Sequence, residues 1–131
     1  MYTFELSLQY RKAVKDRDLD AVLSVFCPDA SIVTPLKGSC DVRTYHEWLF
    51  ANVKRSSLKV INAFQALNGE ICLAVLADYE WTMHDDNVVN FTGMSVFDFT
   101  PDKMKIKTMR TFYDPSIVRP QLDALNIASV E

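Results

Sequence analysis

The side chains of this sequence best suited to take up or give a proton near neutral pH are two imidazoles, His46 and His84. His46 falls within Val42, Tyr45, His46, Leu49 and Val53, which recur at the spacing of a buried helical stripe, while Thr44, Glu47, Ala51 and Lys54 lie off it. A histidine at such a position is either a satisfied core residue or a catalytic one, and no other imidazole sits on a predicted buried helix face. His84 ends a strand beside the turn Asp85-Asp86-Asn87 and is expected to be exposed. Tyr10 occupies the middle of another helical stripe, with Leu6, Ala13 and Val14. Its phenol is either satisfied within the core or free to act as a donor.

The carboxylates offer less. Asp78 and Glu80 take the opposite parity to Tyr79 and Trp81 on one strand and should face outward, as should Asp98 on the next. Asp85 and Asp86 belong to a turn, and Asp29 reads as a brace for a bend. One histidine on a helix and one at a hairpin give no metal-ligand spacing. Cys27, Cys40 and Cys72 are odd in number and far apart, so neither a disulfide framework nor a zinc site is expected. With glycine only at 38, 69 and 93, no phosphate-cradling loop is present. Neither a metal nor a cofactor is therefore expected.

The element that must position these residues is the stretch 70–84. Ile71, Leu73, Val75, Ala77, Tyr79, Trp81 and Met83 are apolar at period two, and the interleaved set turns polar from Asp78 onward. That is the pattern of a strand with one buried face, whereas a helix would bury Asp78 and Thr82. Such a strand spans roughly 45 Å, longer than a small domain is wide, so it must twist and bend and leave a concave face lined by Tyr79 and Trp81. Asn68-Gly69 before it suits a two-residue type I′ hairpin. Helices are predicted at about 3–16, 18–26 (capped by Asp18) and 41–54 (capped by Asp41). Strands are predicted at about 57–67, 70–84, 88–100 and 104–114. Between the second and third helices, residues 30–35 form a short extended piece that Pro35 confines to an edge or bend. Short connections make the four strands an antiparallel meander, and a helical tail follows Asp114-Pro115. On the third strand Val89, Phe91, Gly93, Ser95, Phe97 and Phe99 share a face, and on the fourth Met109, Thr111 and Tyr113 do.

Composition sets the outer bounds. A chain of 131 residues is one domain by prior and long enough to bury ~68% of its unfolded surface. Fourteen Lys and Arg stand against 17 Asp and Glu, a net charge of −3, with no basic run. That argues against nucleic acid or an anionic membrane as partner. No stretch reaches ~18 apolar residues and no secretory signal pattern opens the sequence, so a soluble, cytoplasmic protein is expected.

The order helix, short helix, bend, helix and meander matches a known family. Phe26-Cys27-Pro28-Asp29-Ala30 with Pro35 and Gly38, Phe97-Asp98-Phe99, and Arg110-Thr111-Phe112-Tyr113-Asp114-Pro115 resemble the motifs of the SnoaL-like, ketosteroid isomerase-like branch of the nuclear transport factor 2-like superfamily. The resemblance covers nearly the whole chain. It implies an α+β fold in which a curved antiparallel sheet forms a cone around the N-terminal helices, a cystatin-like roll with a pocket at its wide end. It also implies that Tyr10 matches the first-helix oxyanion donor of the steroid isomerases. Their general base falls at Thr34 and their second, acidic donor at Gly93, neither of which can serve, so steroid-isomerase chemistry by that route is not implied. His46 aligns with a third-helix pocket tyrosine and would then share a cavity with Tyr10.

These expectations combine into a site. His46 and Tyr10 are the candidate catalytic pair; Thr34, Tyr79, Trp81, Phe91, Ser95, Met109, Thr111 and Tyr113 are candidate ligand-binding residues. An aromatic pocket with a few convergent polar groups suits an apolar, ring-bearing small molecule. The expected chemistry is cofactor-free isomerisation, dehydration or cyclisation by general acid–base catalysis. The alternative is a non-catalytic ligand-binding or dimerisation module. The outward face carries Cys72, Ala74, Leu76, Met94 and Val96, too apolar for solvent, and predicts a homodimer through the outer sheet face.

Overall fold

The computed structural model describes residues 2–125. Helix α1 (Tyr2–Lys15) buries Leu6, Ser7, Tyr10 and Ala13, so Ser7 joins the stripe read from the sequence and Val14 is only half-buried. Asp18 caps α2 (Leu19–Ser24) by accepting from the Ala21 N–H at 3.1 Å. Asp41 caps α3 (Val42–Asn52) through the Thr44 N–H at 3.0 Å. Each cap occupies an N–H that the helix itself leaves open, which fixes where α2 and α3 start and therefore which face they bury. The third stripe turns inward as expected at Val42, Tyr45, His46 and Leu49, whereas Val53, also buried, begins a strand rather than ending the helix. A last helix, α4 (Pro115–Ala124), is capped by Asp114 and packs Val118 and Leu122 inward. The rest of the expected tail, 126–131, lies outside the described residues. No helix among the described residues is long and apolar enough to cross a membrane.

Among the described residues the strands are β1 (Phe26–Thr34), β2 (Gly38–Asp41), β3 (Val53–Gln65), β4 (Cys72–Met83), β5 (Val88–Phe99) and β6 (Ile106–Tyr113). They form one curled, unclosed sheet in the order β2-β1-β6-β5-β4-β3, with the helices on its concave side. The α+β architecture and the β3–β6 meander are as the sequence implies. On β4 the odd-numbered set faces the core: Leu73, Val75, Ala77, Trp81 and Met83 are buried, and Asp78 and Glu80 are exposed. On β5 the odd-numbered positions from Val89 to Phe99 are likewise buried, alternating with more exposed neighbours.

Three features differ from the sequence reading. The piece expected at 30–35 is the second half of a nine-residue strand that begins directly after α2, and Gly38–Asp41 is a further strand paired antiparallel to it. β1 then pairs parallel to β6, placing one parallel ladder within an otherwise antiparallel sheet. Strand β1 carries a register shift between Phe26 and Ser31, which masks its alternation from a period-two search. The loop at Asn68-Gly69 is not a two-residue type I′ turn: Gly69 alone has positive φ, and the Asn68 side chain instead accepts from the Glu70 N–H. β3 and β4 pair only from Gln65 and Leu73 onward. A bulge between Val60 and Asn62 offsets the extra loop residue, so Leu58 still faces Tyr79 and Ser56 still faces Trp81.

Gly93 lies between Ala77 on β4 and Tyr113 on β6, where the strands leave little room for a side chain. A Cβ on Gly93 would stand 3.0 Å from the Phe112 carbonyl oxygen and 3.4 Å from the Tyr79 ring. Gly93→Ala should therefore cost about 1–3 kcal/mol, as overpacking does in a closely fitted interior. The urea midpoint should fall with the slope unchanged; an unaltered midpoint would show that the sheet can open locally at no cost.

Candidate functional site

Tyr10 and His46 meet in the interior. α1 and α3 bring the phenol within 2.8 Å of His46 Nε2, and the ring Nδ1 lies 2.8 Å from the Val42 carbonyl one turn earlier. A carbonyl can only accept, so Nδ1 carries the proton and Nε2 accepts the Tyr10 hydroxyl. His46 is fully buried among the rings of Tyr10, Tyr45, Phe26 and Phe50. Burial lowers its pKa to about 4, partly offset by the bond to Val42, so the imidazole is neutral. Burial, with the neighbouring phenols of Tyr45 and Tyr79, holds the Tyr10 hydroxyl well above its ordinary pKa. Both partners are thus uncharged and joined by one proton.

Above this pair opens a cavity of about 420 Å3. Its floor and far wall are aromatic: Tyr79 stacks on Phe91 at 4.9 Å, and Trp81 and Tyr113 meet the same ring at 5.1 and 4.9 Å. Polar atoms are few and mostly hydroxyls. Tyr79 Oη lies 2.8 Å from Ser95 Oγ, and Ser95 Oγ 3.4 Å from Thr111 Oγ1, a short hydroxyl row across three strands. Burial raises the Tyr113 phenol to about 12, moderated by a hydrogen bond with Thr34. Near the opening, Arg11, Lys12 and Lys15 come from α1 and Ser56 and Ser57 from β3. Among the described residues the lining contains no carboxylate, and no group of three or more His, Cys, Asp or Glu could hold a metal ion.

No family model matches the sequence, and no curated protein matches it. Solved structures do. TerC, co-crystallised with polyporic acid, superposes with a TM-score of 0.79 at 15% identity, over 94% of this chain and 99% of that one. A candidate SnoaL-like polyketide cyclase from Shewanella denitrificans OS-217 gives 0.74 at 12% identity, over 93% and 97%. A protein with a ketosteroid isomerase-like fold from Catenulispora acidiphila DSM 44928, in complex with trimethylamine, gives 0.74 at 14%, over 89% and 91%. This chain has the nuclear transport factor 2-like fold. It is the fold shared by SnoaL-like and ketosteroid isomerase-like proteins.

Within that fold the candidate residues are placed as follows. Tyr10, Tyr79, Trp81, Phe91, Ser95, Met109, Thr111 and Tyr113 line the cavity. His46 does not line it but stands directly behind Tyr10, and Thr34 is buried behind Tyr113, where its Oγ1 accepts from the Lys37 N–H. Gly93 presents only backbone beneath Tyr79. His84 is exposed. The sequence reading did not include Tyr45, the β3 residues Ser56, Leu58 and Val60, or the α1 cations. Ser56 and Leu58 share a face with Trp81 and Tyr79 in the register that a 68–69 turn would itself impose, so that pairing was the available signal. Arg11 gave none, because a cation flanking an apolar stripe reads as solvated.

The neutral imidazole has a consequence for stability. His46 binds its proton less tightly in the folded protein than at the ordinary value of 6.5, so the unfolded chain protonates first as pH falls. Its contribution is complete above pH 6.5 and is lost as pH drops toward about 4. Between pH 7.5 and 5 the loss should be about 2 kcal/mol, measured by urea unfolding. His46→Asn should flatten that dependence, and a slope that persists unchanged in the variant would assign it elsewhere.

Proposed function

We propose that this protein binds an apolar, ring-bearing small molecule in the cavity and moves a proton on it without a cofactor. In this reading Tyr10 touches the substrate and His46 holds the proton behind it. The observation that carries the reading is the Tyr10 hydroxyl at the cavity wall, 2.8 Å from a buried neutral imidazole whose other nitrogen is already anchored. A substrate C–H proton passes to Tyr10 Oη while the phenol's own proton passes to Nε2, and the Val42 carbonyl steadies the imidazolium formed. Return of the proton at another atom completes an isomerisation, dehydration or cyclisation. In this reading the Ser95, Thr111 and Tyr79 hydroxyls, which line the same cavity, donate to the oxyanion that develops.

The weak basicity of His46 narrows the substrate. With a pKa of about 4, charging it at pH 7 costs roughly 4 kcal/mol. A proton flanked by two carbonyls, as in polyketide-like 1,3-dicarbonyl compounds, is acidic enough to meet that cost; an ordinary ketone is not. The likeness to a candidate SnoaL-like polyketide cyclase and to TerC with polyporic acid supports this class. Tyr10→Phe should lower kcat about 100-fold on such a substrate and leave its dissociation constant nearly unchanged.

A second reading, a non-catalytic binding module, draws on three observations. Thr34 and Gly93 stand at the isomerase base and acid positions, no carboxylate lines the cavity among the described residues, and Nε2 is already engaged. Tight binding of ring-bearing 1,3-dicarbonyls with no turnover anywhere between about pH 5 and 9 would decide for it.

We further propose a homodimer through the outer sheet face and a cytoplasmic location, in keeping with three free thiols. Phe64 pairs with Ala74, and Val96, Leu76, Met94 and Phe112 continue the same apolar surface, with Phe64 and Phe112 at 45% and 54% exposure. Sedimentation should give twice the chain mass of 15.0 kDa, and Met94→Glu should return it to the single-chain value. A wild-type boundary at 15.0 kDa would overturn the dimer.

A further inference from the structure

Arg11 follows Tyr10 on α1, is half-buried and lines the cavity. Among the described residues its guanidinium has neither a hydrogen-bond partner nor an ion pair. Other arginines are tied down: Arg17 to the Val53 and Phe50 carbonyls, Arg110 to Asp98 at 3.2 Å, Arg119 to the Leu36 carbonyl. Arg43 and Arg55 lack such ties but are exposed and keep their water. Arg11 therefore combines partial desolvation with no counter-charge, and burial lowers its pKa accordingly. Arg11 and the aromatic residues Tyr79, Phe91 and Trp81 line the same cavity.

The surroundings point the same way. Lys15, one helical turn on, lines the same opening, while Lys12 is occupied by Asp16 at 2.6 Å. With Lys12 compensated by Asp16, Arg11 and Lys15 remain, and no carboxylate is among the described lining residues, so the potential at the mouth is positive. A guanidinium offers two parallel N–H groups that match two coplanar oxygens, so a planar monoanion fits it better than a compact one.

We infer that the ligand carries a carboxylate, held by Arg11 at the cavity mouth while its ring lies against Tyr79, Phe91 and Trp81. The inference rests on the pocket reading above and adds the charge of the ligand to it. Orientation follows: with the acid group at the α1 rim, the ring and its substituents reach inward toward Tyr10 and the hydroxyl row.

The test compares naphthalene-2-carboxylate with naphthalene-2-carboxamide, equal in shape but not in charge, by titration calorimetry. Wild type should bind the carboxylate at least about tenfold more tightly. Arg11→Met, which keeps the apolar stem, should abolish the preference while leaving amide affinity unchanged, a check that the cavity is intact. Arg11→Lys should restore part of it. Equal affinities in wild type, or a preference that survives Arg11→Met, would overturn the inference alone. Failure of both probes to bind wild type would overturn the pocket reading and the inference with it.

Discussion

The hollow in this protein depends on the close approach of three strands at the middle of the sheet. Ala77, Gly93 and the Phe112–Tyr113 backbone meet where any larger side chain at Gly93 would strike a carbonyl oxygen. Small residues there let the ladder bend without breaking its hydrogen bonds, and bulges in β3 and at the β5–β6 end take up the remaining mismatch. A flat sheet would press its apolar face against the helices along its whole length. The curled one meets them at one end, where Tyr10, Phe26 and Phe97 interlock, and stands away at the other, where the cavity remains.

The Tyr10–His46 hydrogen bond joins these two regions. It lies among packed aromatic rings, yet its phenol belongs to the cavity wall. An unpaired imidazole at that depth would be costly; here each nitrogen has a partner, so the polar pair sits in the core without an orphaned group. The same arrangement that makes the pair tolerable also makes it a poor base, because burial penalises the charged form and only the Val42 carbonyl offsets that penalty. Structural comfort and chemical reach are thus opposed at one residue, and that opposition is why the proposed function calls for an already acidic substrate.

The cavity is asymmetric in its chemistry. Deep inside it offers rings and neutral hydroxyls; at its rim it offers cations. Such a gradient orients a ligand with one polar end more effectively than it orients a wholly apolar one, since turning the ligand round would bury its charge among Tyr79, Phe91 and Trp81.

Alternation along residues 70–84, the two aspartate caps and the stripes on α1 and α3 were all legible in the sequence, because each depends on local periodicity and on which side chain can satisfy an open N–H. They specified the fold class, the inward parity of β4 and β5, and eight of the residues that line the cavity. The parallel pairing of β1 with β6 was not legible, since a bulge hides the period of β1 and its partner lies some seventy to eighty positions away. Nor was the depth of His46. Spacing can place an imidazole on a buried face, but only packing decides whether it opens onto a hollow or stands one residue behind it. Arg11 is the clearest case: its sequence neighbours make it a surface cation, and the curl of a distant sheet makes it the rim of a cavity.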